Sequence, residues 1–389
     1  MEGEPPLSRA EADHTARVQD HIGAAIAAAG GWIGFETYMN LALYAPGLGY
    51  YSAGAHKLGF GGDFTTAPEM SRLFGGCVAR QCAAVLAALG GGDILEIGAG
   101  TGRLAADLLL RLEALGALPE RYAILEISAD LRARQLTHLR ARAPHLAKRV
   151  TWLDAPPERP FAGVAIANEV LDALPVARFR WSPGRIEELG VAGDRGRFVW
   201  APVPAGDALA GAVCALAAAA QPWDAGYVSE FCPRLADWSA AVTRNLAAGA
   251  VLWFDYGLPR RQYYLPERHE GTLICHFRQR AHADPFALPG LQDITAWVDF
   301  TALAEAGLRA GFAVAGFTTQ SYFLAGSGID AEMHDLAAAD PPTAAALARE
   351  ARWLVMPGEM GERFKGMAWL RGMTAELAGF ALRDLRHVL

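Results

Sequence analysis

The sequence has no excess of basic residues. It contains 35 Lys and Arg residues against 42 Asp and Glu residues, which gives a formal net charge of −7 at pH 7. A protein that holds a nucleic-acid backbone needs a basic surface to neutralise phosphates. The composition therefore argues against a nucleic acid as substrate or partner. Lysine is especially scarce, and we interpret this, together with the abundant alanine, as the coding bias of a GC-rich bacterial genome.

Paired cysteines are also missing. The chain has 5 cysteines, an odd number, and none of them stands in a C-x-x-C pair. This pattern indicates neither a disulfide framework nor a structural zinc site. The histidines of the region 259–295 are irregularly spaced, so we expect no metal site there either. Reduced thiols are typical of a cytoplasmic protein.

Long apolar runs and targeting signals are absent as well. The longest apolar run, 209–220, is too short to span a bilayer. The first 20 residues contain several acidic residues and no apolar core of a signal peptide. We therefore expect no membrane insertion and a cytoplasmic location.

Glycine, in contrast, is concentrated in one informative place. The apolar run 94–97 predicts a buried parallel strand, and the segment 104–115 predicts a helix. Between them, Gly98, Gly100 and Gly102 allow a sharp turn and the close approach of a ligand to main-chain N–H groups. A glycine-rich turn without a ligand is the alternative interpretation.

The spacing of these glycines decides between cofactors. A dinucleotide loop has its third glycine three residues after the second, and Arg103 occupies that place. The pattern E-x-G-x-G-x-G, with Glu96 two residues before the first glycine, resembles motif I of methyltransferases that use S-adenosylmethionine (SAM). SAM carries a cationic sulfonium and an amino group, so an acidic residue beside the loop is favourable.

Further polar residues follow the next predicted strands. Glu126 ends the strand 122–127, where nucleotide-binding α/β folds place a carboxylate that accepts hydrogen bonds from ribose hydroxyls. Asp154 ends the third strand and could accept from an adenine amino group, although a solvated turn aspartate is an equally good interpretation. Asn168 and Glu169 end the fourth strand.

The alternation of strands and helices predicts an α/β fold. We expect a Rossmann-like, seven-stranded, mostly parallel sheet, as in class I methyltransferases. Residues 1–90 would form N-terminal helices and a lid loop over the cofactor site, and residues 91–389 would form the SAM-binding domain. Short alternating runs predict a β-rich insertion at about 176–230, and a second insertion is expected at about 259–298.

The segment 48–75 is rich in glycine, aromatic and hydroxyl residues and shows no clear period until Pro68 begins a helix. Long loops in compact enzymes are commonly lids or binding loops. Thr66 and Glu69 would lie at the N-terminus of that helix. Thr66 could cap the helix, and Glu69 could either complement its dipole or contact a ligand.

Several motifs together resemble one known family. They are GDFTTAPEMSRLFG (62–75), LEIGAGTGRL (95–104), ILEISADLRARQ (124–135), ANEVLDALPVARF (167–179), FDYG (254–257) and MGERFKGM (360–367). This set resembles the MidA-like family of class I SAM-dependent methyltransferases, whose mitochondrial member is a protein arginine methyltransferase that acts on a subunit of the respiratory NADH dehydrogenase. The resemblance implies SAM as cofactor, bound by Gly98, Gly100 and Glu126, with Asp63 and Thr66 closing over it.

The resemblance also places the methyl acceptor beside the stretch NEVLDALP, which begins at Asn168. A guanidine acceptor stays protonated in water, so carboxylates must hold it and help its proton leave. Glu169 and Asp172 are three residues apart and could face one way. Capping of a helix N-terminus is the alternative interpretation of both residues.

Three functions remain open at this level. We favour a protein arginine N-methyltransferase with a protein substrate, such as a respiratory-complex subunit. A methyltransferase for small molecules is the second hypothesis, since the same fold serves many acceptors. A SAM-binding assembly factor without catalysis is the third. A homodimer is compatible with the sequence.

Overall fold

The structure is a computed structural model that describes residues 6–53, 66–194 and 196–389. The helices are α1 Arg9–Ala28, α2 Phe35–Tyr44, α3 Ala67–Met70, α4 Arg72–Leu89, α5 Arg103–Ala114, α6 Ala129–Arg142, α7 Asp207–Ala219, α8 Leu235–Thr243, α9 Arg260–Tyr263, α10 Phe300–Arg309, α11 Gln320–Gly326, α12 Ile329–Ala339, α13 Ala344–Val355, α14 Met360–Arg363 and α15 Ala378–Ala381. The strands are β1 Ile33–Gly34, β2 Asp93–Ile97, β3 Tyr122–Leu125, β4 Val150–Leu153, β5 Phe161–Asn168, β6 Ala177–Ser182, β7 Arg185–Asp194, β8 Arg197–Pro204, β9 Tyr227–Phe231, β10 Leu246–Leu258, β11 Ile274–Phe277, β12 Arg280–His282, β13 Asp293–Thr295, β14 Val298–Asp299, β15 Ala313–Thr319 and β16 Phe364–Arg371.

The central sheet has the strand order β4-β3-β2-β5-β10-β16-β15. The five strands from β4 to β10 run parallel to one another, and β16 is antiparallel to both of its neighbours. The short strand β14 pairs with the end of β10. The predicted α/β fold with a seven-stranded, mostly parallel sheet is confirmed.

Both faces of the central sheet are covered. In β2, Ile94 packs with α4 and α5 on one face, whereas Leu95 and Ile97 pack with α8 and α10 on the other. All five residues of β2 are buried, which explains why its sequence is an almost continuous apolar run.

The strand order reverses between β2 and β5. After β2 the chain adds β3 and β4 on one side, and it then returns to add β5 and β10 on the other side. In open α/β sheets, a crevice for ligands forms outside the carboxyl ends of the two strands at such a reversal. The fold therefore directs attention to the residues that follow β2 and β5.

The first insertion forms a separate sheet. The strands of this sheet have the order β1-β7-β6-β9, in which β1 comes from the N-terminal region, and β8 also pairs with β7. The predicted meander strands β6, β7 and β8 are therefore present. The same insertion also contains the helix α7, over most of the run 209–220, to which no secondary structure was assigned from the sequence. Alanine, which dominates this run, loses no side-chain entropy in a helix.

The first two helices pack against this insertion. Ile33 of β1 pairs with Val191 of β7, and Val18 of α1 and Phe35 of α2 belong to the same apolar cluster as Val191. The helix α4, in contrast, packs with α5 against the central sheet. The proposed division of the chain at residues 90 and 91 stays a prediction.

One helix of the described chain, α4, is long and apolar enough to cross a membrane by length and composition alone. In the structure 61% of its residues are buried inside the protein. This burial is typical of a core helix, and it accounts for the apolar composition of α4.

The second insertion contributes the three-stranded sheet β12-β11-β13. The residue that follows β13, Ala296, donates its N–H to the carbonyl oxygen of Asp172 at 3.0 Å. The second insertion is thereby attached to the turn that follows β5.

Candidate active site

The glycine loop connects β2 to α5. Gly98, Gly100 and Gly102 have φ values of 67°, 54° and 83°, in the left-handed region that side chains disfavour. A Cβ atom at Gly102 would lie 3.0 Å from the Cα atom of Gln135. A Cβ atom at Gly98 would lie 3.0 Å from a methyl carbon of Val170. Both the backbone conformation and the tight packing therefore require glycine here.

Gln135 links this loop to Glu126. Its side chain is fully buried, and its Nε2 donates to the Gly100 carbonyl oxygen at 3.0 Å and to Glu126 Oε2 at 3.1 Å. Its Oε1 accepts from the indole of Trp152 at 2.7 Å. Sequence reasoning did not single out Gln135, although it is the last residue of the motif at 124–135. It fixes the loop and the carboxylate relative to each other.

Glu126 follows β3 and is buried. Its Oε1 accepts from the Ser128 N–H at 2.9 Å. Burial raises the pKa of this carboxyl, and the hydrogen bonds from Ser128 and Gln135 oppose that rise. A carboxylate has about four acceptor sites. The hydrogen bonds from Ser128, Gln135 and the Ile127 backbone therefore leave acceptor capacity for a ribose hydroxyl.

Glu69 lies in the first turn of α3, as the dipole interpretation expected, and its side chain is buried. Its carboxylate accepts a hydrogen bond from the Thr101 hydroxyl, and its Oε2 is 3.8 Å from an Nη1 atom of Arg103. The carboxylate thus connects α3 to the glycine loop, a role that sequence reasoning did not foresee. Thr66 is the N-cap residue of α3, but its hydroxyl makes no capping hydrogen bond.

Three further candidates for cofactor binding have different positions. Glu96 lies inside the sheet, 2% exposed, where its Oε2 accepts from the Tyr122 hydroxyl at 2.7 Å. Asp154 is exposed and forms an ion pair with Arg132, which corresponds to the solvated-turn interpretation. Asp63 and most of the predicted lid lie outside the described residues. Direct contact of these three with SAM stays a prediction.

The turn after β5, residues 168–173, is called the acceptor turn below. Its residue Glu169 has a φ of 53°, which is rare for a residue other than glycine and a common sign of functional strain. Its N–H donates to the Phe254 carbonyl oxygen at 2.8 Å. Its Oε1 accepts from the Asn168 side chain at 3.2 Å and from the Ala67 N–H at 3.4 Å.

Asp172 lies beside Glu169 and is 6% exposed. Its Oδ1 has no hydrogen-bond partner among the described residues, whereas the Tyr256 hydroxyl bonds to the carboxylate. Burial raises the pKa of Asp172 to about 6. Burial and the nearby charge of Asp172 raise the pKa of Glu169 to about 8. Neighbouring carboxyls with separated pKa values are typical of sites that move protons.

The alternative interpretation of Glu169 and Asp172 requires a helix after β5. The residues 169–176 are irregular, with a turn at 172–173, and the next regular element is β6. Neither carboxylate therefore caps a helix of its own segment, but Glu169 accepts from the N–H of Ala67, the first residue of α3.

Sequence reasoning missed the residues that surround the acceptor turn. Tyr44 donates its hydroxyl hydrogen to the Ala173 carbonyl oxygen at 2.9 Å and stacks on Tyr51. Tyr51 in turn donates to Asp293 Oδ1 at 2.9 Å. Asp255, at the end of β10, accepts several backbone N–H groups of the turn. Only Asp255 had a sequence signal, since it lies in the motif FDYG at a strand end.

The described residues contain no group of three or more His, Cys, Asp or Glu side chains arranged to hold a metal ion. The site consists of two clusters. One is the glycine loop with the buried carboxylate of Glu126, and the other is the acceptor turn with Glu169 and Asp172. Val170 of the acceptor turn packs against Gly98, so the two clusters are in contact.

Comparison with known proteins agrees with this arrangement. The sequence profile of a family described as S-adenosyl-L-methionine-dependent methyltransferase matches residues 77–318. The mitochondrial protein arginine methyltransferase NDUFAF7 of Danio rerio is 30% identical over 398 residues, which cover 92% of this chain and 87% of that protein. The protein of the same name from Homo sapiens is 30% identical over 373 residues, with coverage of 86% and 79%.

Two crystal structures from Burkholderia thailandensis are similar over almost the whole chain. One, interpreted as a methyl transferase and bound to S-adenosyl-homocysteine (SAH), gives a TM-score of 0.94 at 45% identity and covers 99% of this chain and 100% of that chain. The other, a native structure, gives 0.91 at 44% identity with the same coverage. The similarity thus includes the glycine loop and the acceptor turn.

Proposed function

Because this chain belongs to the family of S-adenosyl-L-methionine-dependent methyltransferases, we propose that it is a protein arginine N-methyltransferase. The predicted cofactor, SAM, is confirmed. The observation that carries the arginine proposal is the pair of carboxylates, Glu169 and Asp172, on a turn that packs against the glycine loop. The names of the curated relatives support it.

The residues present fit the cofactor. The three left-handed glycines let the loop turn sharply at the N-terminus of α5, where main-chain N–H groups can face a ligand, and Glu126 keeps acceptor capacity for a ribose hydroxyl. SAM, when bound, supplies a methyl group on a cationic sulfonium. The chain contributes alignment of the acceptor with that methyl group and a suitable electric field.

The acidic side chains suit a guanidinium. A guanidinium has five N–H donors in one plane and no acceptor, so it needs several carboxylate oxygens around it. Glu169 and Asp172 offer such oxygens, among them Asp172 Oδ1, which lacks a partner among the described residues. As the nitrogen gains a methyl group, it loses a proton. Glu169 is suited to accept this proton because its pKa is raised to about 8.

A labelling experiment tests the proposal. Lysate from a strain that lacks this protein is incubated with labelled SAM and either the wild-type protein or the Asp172→Asn variant, and labelled residues are identified by mass spectrometry. We expect methylarginine in a polypeptide with the wild-type protein only. Label on lysine or on a small molecule would contradict the proposal. A cytoplasmic location, a bacterial source and a homodimer stay predictions.

A further inference from the structure

Asp255 lies beneath the acceptor turn and binds its backbone. Its Oδ2 accepts from three consecutive N–H groups, those of Val170 at 3.2 Å, Leu171 at 2.9 Å and Asp172 at 3.3 Å. Its Oδ1 accepts from the Tyr256 N–H at 2.9 Å. One fully buried carboxyl thus satisfies the backbone donors between the two carboxylates that face the acceptor.

This arrangement differs from an ordinary helix cap. A capping aspartate satisfies the first N–H groups of a helix, as Asp299 does for Thr301 and Ala302 at the start of α10. No helix follows the acceptor turn. What the three hydrogen bonds fix is therefore the path of the turn itself.

The strand β10 also holds the beginning of this turn. The Phe254 carbonyl oxygen accepts from the Glu169 N–H at 2.8 Å, and the next residue of β10 is Asp255. Glu169 has a left-handed φ, a strained conformation that persists only when its surroundings impose it. The adjacent residues of β10 provide that constraint.

The electrostatics point to a function as well. Burial and the charges of Asp172 and Glu169 raise the pKa of Asp255, so the cluster concentrates like charges in the core. The four N–H donors oppose this effect because they stabilise the ionised carboxylate. A buried carboxyl in this place either keeps its proton or requires a cation that balances the ionised cluster. A cationic acceptor at Glu169 and Asp172 would provide the balance.

From this geometry we infer that Asp255 is a positioning residue for methyl transfer, which holds Glu169 and Asp172 at the acceptor through the backbone of the turn. The inference rests on the proposed function in one respect, namely that the turn faces the methyl acceptor. Asp255 itself does not contact substrate or cofactor in this role.

The Asp255→Asn variant tests the inference. The asparagine side chain keeps the shape of the aspartate. Its NH₂ group, however, would face backbone N–H groups, which also donate hydrogen bonds. We expect the turn to shift, so that kcat falls by a factor on the order of 10² while the KM for SAM and the affinity for SAH stay within about twofold. A kcat within threefold of the wild type would overturn the inference.

The Asp299→Asn variant is the matched control. It also alters an aspartate with a side chain only 10% exposed that accepts backbone N–H groups, but it lies outside the acceptor turn. We expect it to lower the melting temperature without a loss of kcat in the folded protein. Equal losses of kcat in the two variants would assign Asp255 a merely structural role.

Hydrogen exchange of the wild-type protein keeps the inference testable if Asp255→Asn does not fold. The amides of residues 170–172 should exchange as slowly as those of β10, and exchange as fast as in an open loop would contradict the anchor. The kinetic comparison uses whichever acceptor the wild-type protein labels. A product other than methylarginine would therefore overturn the proposed function. The kinetic comparison with that acceptor would still decide the role of Asp255.

Discussion

Thr101 of the glycine loop donates its hydroxyl hydrogen to Glu69 of the short helix α3. The first residue of the same helix, Ala67, donates its N–H to Glu169 of the acceptor turn at 3.4 Å. The four-residue helix α3 is therefore in contact with both clusters of the active site. Its position should affect how the cofactor binds and how the acceptor is held.

The contact between Glu69 and Thr101 yields a first prediction. In Glu69→Ala the loop loses this hydrogen bond, and Arg103 loses the carboxylate beside it. We therefore expect SAH to bind about tenfold more weakly, which corresponds to a loss of about 1.4 kcal/mol in binding free energy. Glu69→Gln keeps an acceptor oxygen for Thr101 and should retain most of the affinity. Calorimetric titration of both variants provides the measurement. Unchanged affinity in Glu69→Ala would show that the link does not order the loop.

The second prediction concerns the ribose. Replacing Glu126 with alanine should weaken SAH binding by about 1.5–3 kcal/mol for each charged hydrogen bond that is lost. Asp154→Ala is the comparison, because Asp154 also follows a strand of the sheet but is exposed and paired with Arg132. We expect its SAH affinity to stay within about twofold. A large loss in Asp154→Ala would instead favour the contact with adenine.

The third prediction separates chemistry from cofactor binding. Glu169→Gln and Asp172→Asn preserve size but remove the charge that pairs with a guanidinium. Single-turnover methylation should fall by a factor on the order of 10² or more, with SAH affinity within about twofold. If the carboxylates were only structural, the melting temperature would fall while turnover stayed near that of the wild type.

The fourth prediction is a pH dependence of the reaction. Glu169 must be ionised to hold a cation and to accept its proton, and burial raises its pKa to about 8. The kcat/KM for the acceptor should therefore rise with pH through about pH 8 and level off above it. The Glu169→Gln variant should lose this rise. A wild-type profile that is flat between pH 6 and 9 would argue against Glu169 as the proton acceptor.

The fifth prediction concerns stability. Burial raises the pKa of Glu96 from 4.5 to about 7, so the folded state binds a proton more tightly than the unfolded state does. The resulting stabilisation is complete below about pH 4.5 and is lost as the pH rises through about 7, by roughly 3 kcal/mol at most. The stability difference between wild type and Glu96→Gln should shrink over this range. Urea denaturation at several pH values measures it.

The sheet and the ends of its strands could be predicted from the sequence alone. The strands β2 and β3 and the helix α5 have the predicted positions, and β4 and β5 end where predicted, because apolar periodicity and glycine placement are local properties of the chain. Since the carboxyl ends of parallel strands meet at one edge, Gly98, Glu126 and Glu169 could be assigned to one site from their order alone.

The partners of those residues, in contrast, depend on how distant segments pack in the folded chain. Glu69 meets Thr101 across 32 positions of the sequence, and the acceptor turn meets Asp255 across more than 80. Asp293 and Tyr51 come from the second insertion and the N-terminal region, which are 242 positions apart. No local pattern encodes such pairs, because they form only when separate segments pack against the same sheet edge. Whether a polar side chain finds a hydrogen-bond partner depends on its neighbours in space. The periodicity of a sequence depends only on neighbours along the chain, so it does not predict these pairs.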